Sequence, residues 1–156
     1  MQKNSVSIMS TLFFVLALGG SALSHGQTPP PLRLQFLGDQ GHHQPARRAA
    51  ELLPALSQRG INVQYSEDIA AVLNAENLAK LDGVMVYANI DRITDDQATA
   101  LLDFVNRGGA FIPLHCASFC FRNNDAIVAL TGAQFQRHGT GTFSVSPTDD
   151  GEPHPL

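Results

Sequence analysis

The stretch Gly108-Gly109-Ala110-Phe111-Ile112-Pro113-Leu114-His115-Cys116-Ala117-Ser118-Phe119-Cys120-Phe121 holds the densest chemistry in the 156-residue chain. An apolar run of strand length ends at Leu114, an imidazole follows, and small side chains come next. This is the layout of a nucleophile elbow, in which a sharp turn after a strand lifts one side chain above the sheet and aims backbone N–H groups at whatever sits there. At the apex, His115 suits general acid or base work near neutral pH, and the amides that follow suit a developing oxyanion. A displaced thiolate nucleophile at Cys116 needs an aligned base or a positive field, and the chain contains no His-x-Glu pair to supply one. Glutaminase chemistry is therefore set aside, and Cys116 is read either as a small buried residue or as a thiol facing the ligand.

Three further places offer polar groups that could meet His115. His42 and His43 lie in a loop opened by Gly38-Asp39-Gln40-Gly41, and Asn89 and Asp91 follow an apolar strand where they can hydrogen-bond hydroxyl groups. Arg137 and His138 precede Gly139-Thr140-Gly141-Thr142, which reads equally as a set of backbone donors beside the pocket or as a turn before a strand from Thr142 to Val145. Within a catalytic reading, His138 orients or polarises the substrate. Converging imidazoles invite a metal, but no compact Cys-x2-Cys or His-Glu-x2-His spacing is present, so no metal set and no cofactor are assigned.

The elements that must position these residues alternate strand with helix. Leu32–Leu37 alternates apolar with polar, and Pro45 then opens a helix with Ala49, Leu52, Leu53 and Leu56 on one face and a stop at Gly60. Ile61–Tyr65 reads as a second strand, Ile69–Leu81 as one or two short helices with Asn74 as a cap, and Gly83–Tyr87 as a central strand buried on both faces. Thr94-Asp95-Asp96-Gln97 is a capping box opening a helix that turns Ala98, Leu101, Leu102 and Val105 to the sheet. Ala110–Leu114 is a further buried strand, with Pro113 at its end because proline cannot donate to the ladder. This rhythm implies an α/β, doubly wound (flavodoxin-like) parallel sheet with helices on both faces. Ligands collect at the carboxyl ends of such strands, which brings the loops Gly38–Gln44, Ala88–Thr94 and the stretch from His115 onto one rim.

The ends and the charge bound the remaining questions. Lys3, the apolar run Ile8–Leu18 and the small residues up to Gly26 read as a signal peptide over residues 1–26, too short to span a bilayer and interrupted by Gly19-Gly20. The Pro-rich segment 27–31 is an extended linker, and one domain occupies 32–156. The protein is thus expected to be exported, periplasmic or extracellular, and free of the membrane once the leader is cleaved. Without Lys3, 9 basic residues face 14 acidic ones and no basic stripe exists, which argues against nucleic acid. Cys116 and Cys120 are expected to stay unpaired, since on one helical turn their Cβ atoms lie about 5–6 Å apart where a disulfide wants about 3.8 Å. The turn signal Asp149-Asp150-Gly151 with no closing element after it reads as a C-terminally incomplete domain, with room for further domains beyond Leu156.

A resemblance gathers these features. A Gly-Gly strand followed by His115-Cys116-Ala117-Ser118, then Gly132-Ala133-Gln134-Phe135-Gln136-Arg137-His138, then Glu152-Pro153-His154-Pro155, with histidines in the first loop, resembles the ThuA-like (trehalose-utilisation) branch of the class I glutamine amidotransferase-like fold. The cysteines at 116 and 120 depart from that pattern. The resemblance implies a carbohydrate-processing or carbohydrate-binding domain, with His115 and His138 in the catalytic roles. His42, His43, Asn89, Asp91, Cys116 and Arg137 would contact a small-molecule ligand of the sugar class. The alternative is a non-catalytic ligand-binding module of a larger secreted or periplasmic protein.

Overall fold

The computed structural model describes residues 30–137 and 139–144. The leader, most of the proline linker, His138 and the His154 motif lie outside the described residues. Four parallel strands, β1 (Leu32–Leu37), β2 (Ile61–Ser66), β3 (Gly83–Val86) and β4 (Ala110–Pro113), form one sheet in the order β2-β1-β3-β4. Chain order runs outward from β1 to β2 on one side and through β3 to β4 on the other, so direction reverses between β1 and β3. That is the switch point at which doubly wound sheets open a crevice for a ligand.

Helices cover both faces. On one side α1 (Pro45–Ser57) packs Ala49, Leu52, Leu53 and Leu56 against Leu34, Phe36 and Met85. Opposite lie α2 (Ile69–Val72), α3 (Ala75–Leu78), α4 (Asp95–Asn106) and α5 (Asp125–Thr131), which bury Val72, Leu78, Leu101, Phe104 and Ile127 with Leu37, Val84 and Val86. Alternation in β1 sends Phe36 to one core and Leu37 to the other, as a period of two requires. The start signals act as written: Pro45 stands in the first turn of α1, Asn74 caps α3, and Thr94 with Gln97 completes both halves of the capping box on α4. No helix of the described residues is long and apolar enough to cross a membrane.

Three local expectations are corrected. β4 is only half-buried, because among the described residues no strand pairs with its outer edge. On α4 the fully buried face is Ala98, Leu101 and Phe104, while Leu102 and Val105 are half-buried at its flanks. Residues 142–144 form no strand and are exposed, with Phe143 83 % accessible, and the last residue of the expected strand, Val145, lies outside the described residues.

Register fixes the rim. Leu37 stands level with Val86, and Val86 with Pro113, so all three strands release their chains at the same height. Two more hydrogen bonds carry the pairing one step further, Tyr87 N–H to Leu37 O at 3.0 Å and Leu114 N–H to Val86 O at 2.9 Å. The next residues out are therefore Asp39, Ala88 and His115.

Candidate functional site

The first loop is folded by its own aspartate. One Asp39 carboxylate oxygen accepts Gly41 N–H at 2.8 Å, Gln44 N–H closes on Gly41 O at 3.1 Å, and Gln44 enters α1 with a left-handed φ of 54°. The other Asp39 oxygen crosses the switch point to accept Asn89 N–H at 2.6 Å. The loops after β1 and β3 are thereby tied at the crevice, with His42, His43 and Asn89 on them.

The third loop is the turn after β4. Leu114 is extended, and His115 turns to φ 47°, a left-handed conformation uncommon for a residue with a Cβ. A short 3-10 helix, His115–Phe119, follows in place of an α-helix, with Ala117 N–H donating to Leu114 O at 2.9 Å. Of the amides after the apex, that of Ala117 is thus already engaged. His115 itself is exposed, while Cys116 and Ala117 are buried beneath it.

These turns assemble an imidazole cluster. The His42 and His43 rings lie 3.9 Å apart, and His43 meets His115 edge-on at 4.8 Å and 88°. Tyr87, the residue after β3, stacks on His115 at 5.8 Å and 26° and presents an edge to His43 at 6.2 Å. His43 is held below the ordinary imidazole range, first by its burial and then by charge on His42 and His115, with Asp39 pulling the other way. Burial raises the Cys116 thiol and pushes that of Cys120 up to about 12. Cys120 donates to Ala88 O at 3.0 Å, and both cysteines are free.

A cavity of about 440 Å³ opens over this cluster, within the range of small-molecule sites. It is lined by the polar side chains of His42, His43, Asn89 and His115, by Cys116 and Ser118, and by a phenyl wall of Phe119 and Phe135. The two phenyl rings lie 6.5 Å apart at 52°, and Phe135 N–H donates to Ser118 O at 2.9 Å. Arg122 covers Phe119 with its guanidinium 3.8 Å from the ring centroid, and its Nε donates to Asp91 at 2.8 Å. Backbone bonds from Phe121 N–H to Ile90 O and from Arg122 N–H to Asp91 O seam the same two loops together.

Of the residues singled out by sequence, His42, His43, Asn89, His115 and Cys116 line this one cavity. Asp91 stands outside its lining in the pair with Arg122, Arg137 is exposed and also outside it, and His138 lies outside the described residues. Sequence reasoning missed Phe119, Phe135, Tyr87 and the two-loop bonding of Asp39. The signal for Asp39 was available, since an aspartate two residues before a glycine is an Asx-turn pattern. Among the described residues no three His, Cys, Asp or Glu side chains are arranged to hold a metal ion.

An α/β domain with its pocket over a topological switch point is a ligand-handling class, not yet a family. The family follows from residues 34–156, which match the model described as ThuA, trehalose utilisation, and the chain belongs to that family. Among solved structures it is similar to a ThuA-like protein from Bacteroides uniformis ATCC 8492, 18 % identical with a TM-score of 0.48, over 58 % of this chain and 39 % of that one. The alignment therefore spans about two fifths of that protein. No curated protein matches.

Proposed function

We propose that this ThuA-family domain binds a neutral sugar in the rim cavity and processes it with His115 as general acid or base. One observation carries the reading. Among the described residues, no protein group hydrogen-bonds the side chains of His42, His43, His115 or Asn89, although the neighbouring carboxylates Asp39 and Asp91 are both engaged. His42 and His115 are exposed and His43 and Asn89 half-buried, so their polar side chains stand open to a ligand, and a polyhydroxylated one offers a partner to each. The phenyl wall of Phe119 and Phe135 suits the apolar C–H face of a pyranose ring. A lining that mixes imidazole and amide groups with aromatic rings matches an amphipathic ring better than a flat apolar cofactor.

Calorimetry of trehalose, glucose and related disaccharides against the whole protein tests the binding step. With a bound sugar in hand, His115→Ala is expected to lower turnover by about 10²–10⁴, the usual reach of general acid–base catalysis. Binding with no turnover in either protein selects the non-catalytic module instead. The leader places this activity outside the cytoplasm in our reading, which a mature N-terminus between His25 and Thr28 in mass spectrometry supports and an intact Met1 overturns.

A further inference from the structure

We propose that Asp39 is the positioning residue of this pocket, acting through one backbone amide in each of two loops and through its charge in the loop that carries His42 and His43. The carboxylate is not itself part of the cavity lining. It accepts Gly41 N–H at 2.8 Å and Asn89 N–H at 2.6 Å, and so sets the separation of the His42–His43 loop from the loop of Asn89. A charged acceptor holds an amide about twice as strongly as a neutral one. Geometry alone makes this the closest tie across the switch point, since β1 and β3 have already ended at Leu37 and Val86.

The charge has its own task. His43 is flanked by His42 from its own loop, by His115 from the turn after β4 and by Tyr87 from the end of β3, with Asp39 as the carboxylate among them. Imidazoles this close repel one another's protons. The Asp39 charge opposes that repulsion at His43, whose proton affinity stays lowered all the same. The ligand need not be a sugar for Asp39 to act in either way, although the affinity arm of the test rests on that reading.

Asp39→Asn in the whole protein removes the charge and turns one acceptor into a donor facing an N–H. The histidine ring protons and the Asn89 amide are followed by NMR across a pH titration. The midpoint of His43 is expected to fall, and the Asn89 amide to lose its downfield shift and its protection from exchange. Affinity for the best sugar should drop about tenfold or more, the worth of one charge-assisted hydrogen bond. A His43 midpoint or an Asn89 signal left as in wild type overturns the proposal, even if the protein melts earlier. Should Asp39→Asn fail to fold, Gly41→Ala decides. A Cβ there meets the Asp39 carboxylate at 2.8 Å and displaces it while keeping its charge. The Asn89 signal should then weaken with the His43 midpoint little changed, and an unaltered Asn89 amide refutes the clamp. A wild-type protein that binds no sugar at all counts against the proposed function alone, because the NMR arms are read without ligand.

Discussion

Gly38 is where stability and the site meet, and replacing it with alanine is the sharpest test of the packing described above. A Cβ at this position would lie 2.5 Å from Tyr65 Oη, 2.6 Å from its Cε2 and 2.8 Å from Pro45 Cβ. The tyrosine can yield only by breaking its 2.8 Å hydrogen bond to Glu67 and shifting against Phe36, whose ring centroid lies 5.8 Å away. Pro45 is buried at the first residue of α1 and can yield only if the helix start moves. Overpacking of this kind costs about 1–3 kcal/mol, or roughly 4–12 °C in melting temperature for a domain of this size. Thermal melts followed by circular dichroism read it directly. The double variant Gly38→Ala/Tyr65→Val should lose less than the sum of the singles, because removing the ring relieves the closest contacts. Since residues 38–44 carry His42 and His43, sugar affinity should fall in Gly38→Ala as well. An unchanged melting temperature, or strict additivity with Tyr65→Val, would show that the approach of β1's end to α1 is looser than these distances state.

Three further outcomes follow from the site. At position 115 glycine should be more stable than alanine by roughly 1 kcal/mol, because only alanine keeps the cost of a left-handed backbone, while both lose the imidazole's function; equal melting temperatures would remove the strain from the account. His43 is depressed in the folded state, so the unfolded chain binds the extra proton first. Its contribution is therefore full above about pH 6.5 and is lost as pH falls through the folded value, a slope in melting temperature that His43→Gln should flatten. Both cysteines should alkylate after denaturation without reductant, and in the native protein Cys116, which lines the cavity, should react before Cys120, whose thiol burial pushes up to about 12; protection of Cys120 before Cys116 by a bound sugar would contradict this placement.

Much of the frame was legible because it rests on local rules. Period-two alternation located β1 and β2, apolar runs located β3 and β4, and helical spacing located α1 to α4 but not α5, while Thr94, Asn74 and Pro45 announced their helices by chemistry that acts within one turn. The rim was legible from strand order, and with it the convergence of His42, His43, Asn89, His115 and Cys116. What escaped depends on long-range partners. Phe119 reads as an ordinary apolar residue until Arg122 is seen covering its ring at the edge of the cavity it lines. The half-burial of β4 depends on what lies beyond its edge, which its own apolar run does not encode.

Asp91 shows why residue type alone misleads at such a rim. An acidic side chain just past a central strand has the right chemistry to grip a hydroxyl, yet here the same carboxylate meets Arg122 at 2.8 Å, and that guanidinium backs the phenyl wall. Asp39 is used in the same way, on backbone amides. The carboxylates are the strongest acceptors available, and spending them on protein donors makes the loops rigid. The weaker acceptors, imidazoles and an amide, are left unpaired in the cavity lining. For a neutral ligand this division is the favourable one. A buried free carboxylate would demand a cation or a proton, whereas neutral imidazole and amide groups can each donate or accept, and so adapt to the mixed donors and acceptors of a polyol. The rigidity of the rim and the chemistry of the pocket are thus carried by different residues, which is why replacing Asp39 should alter how the histidines behave without removing any of them.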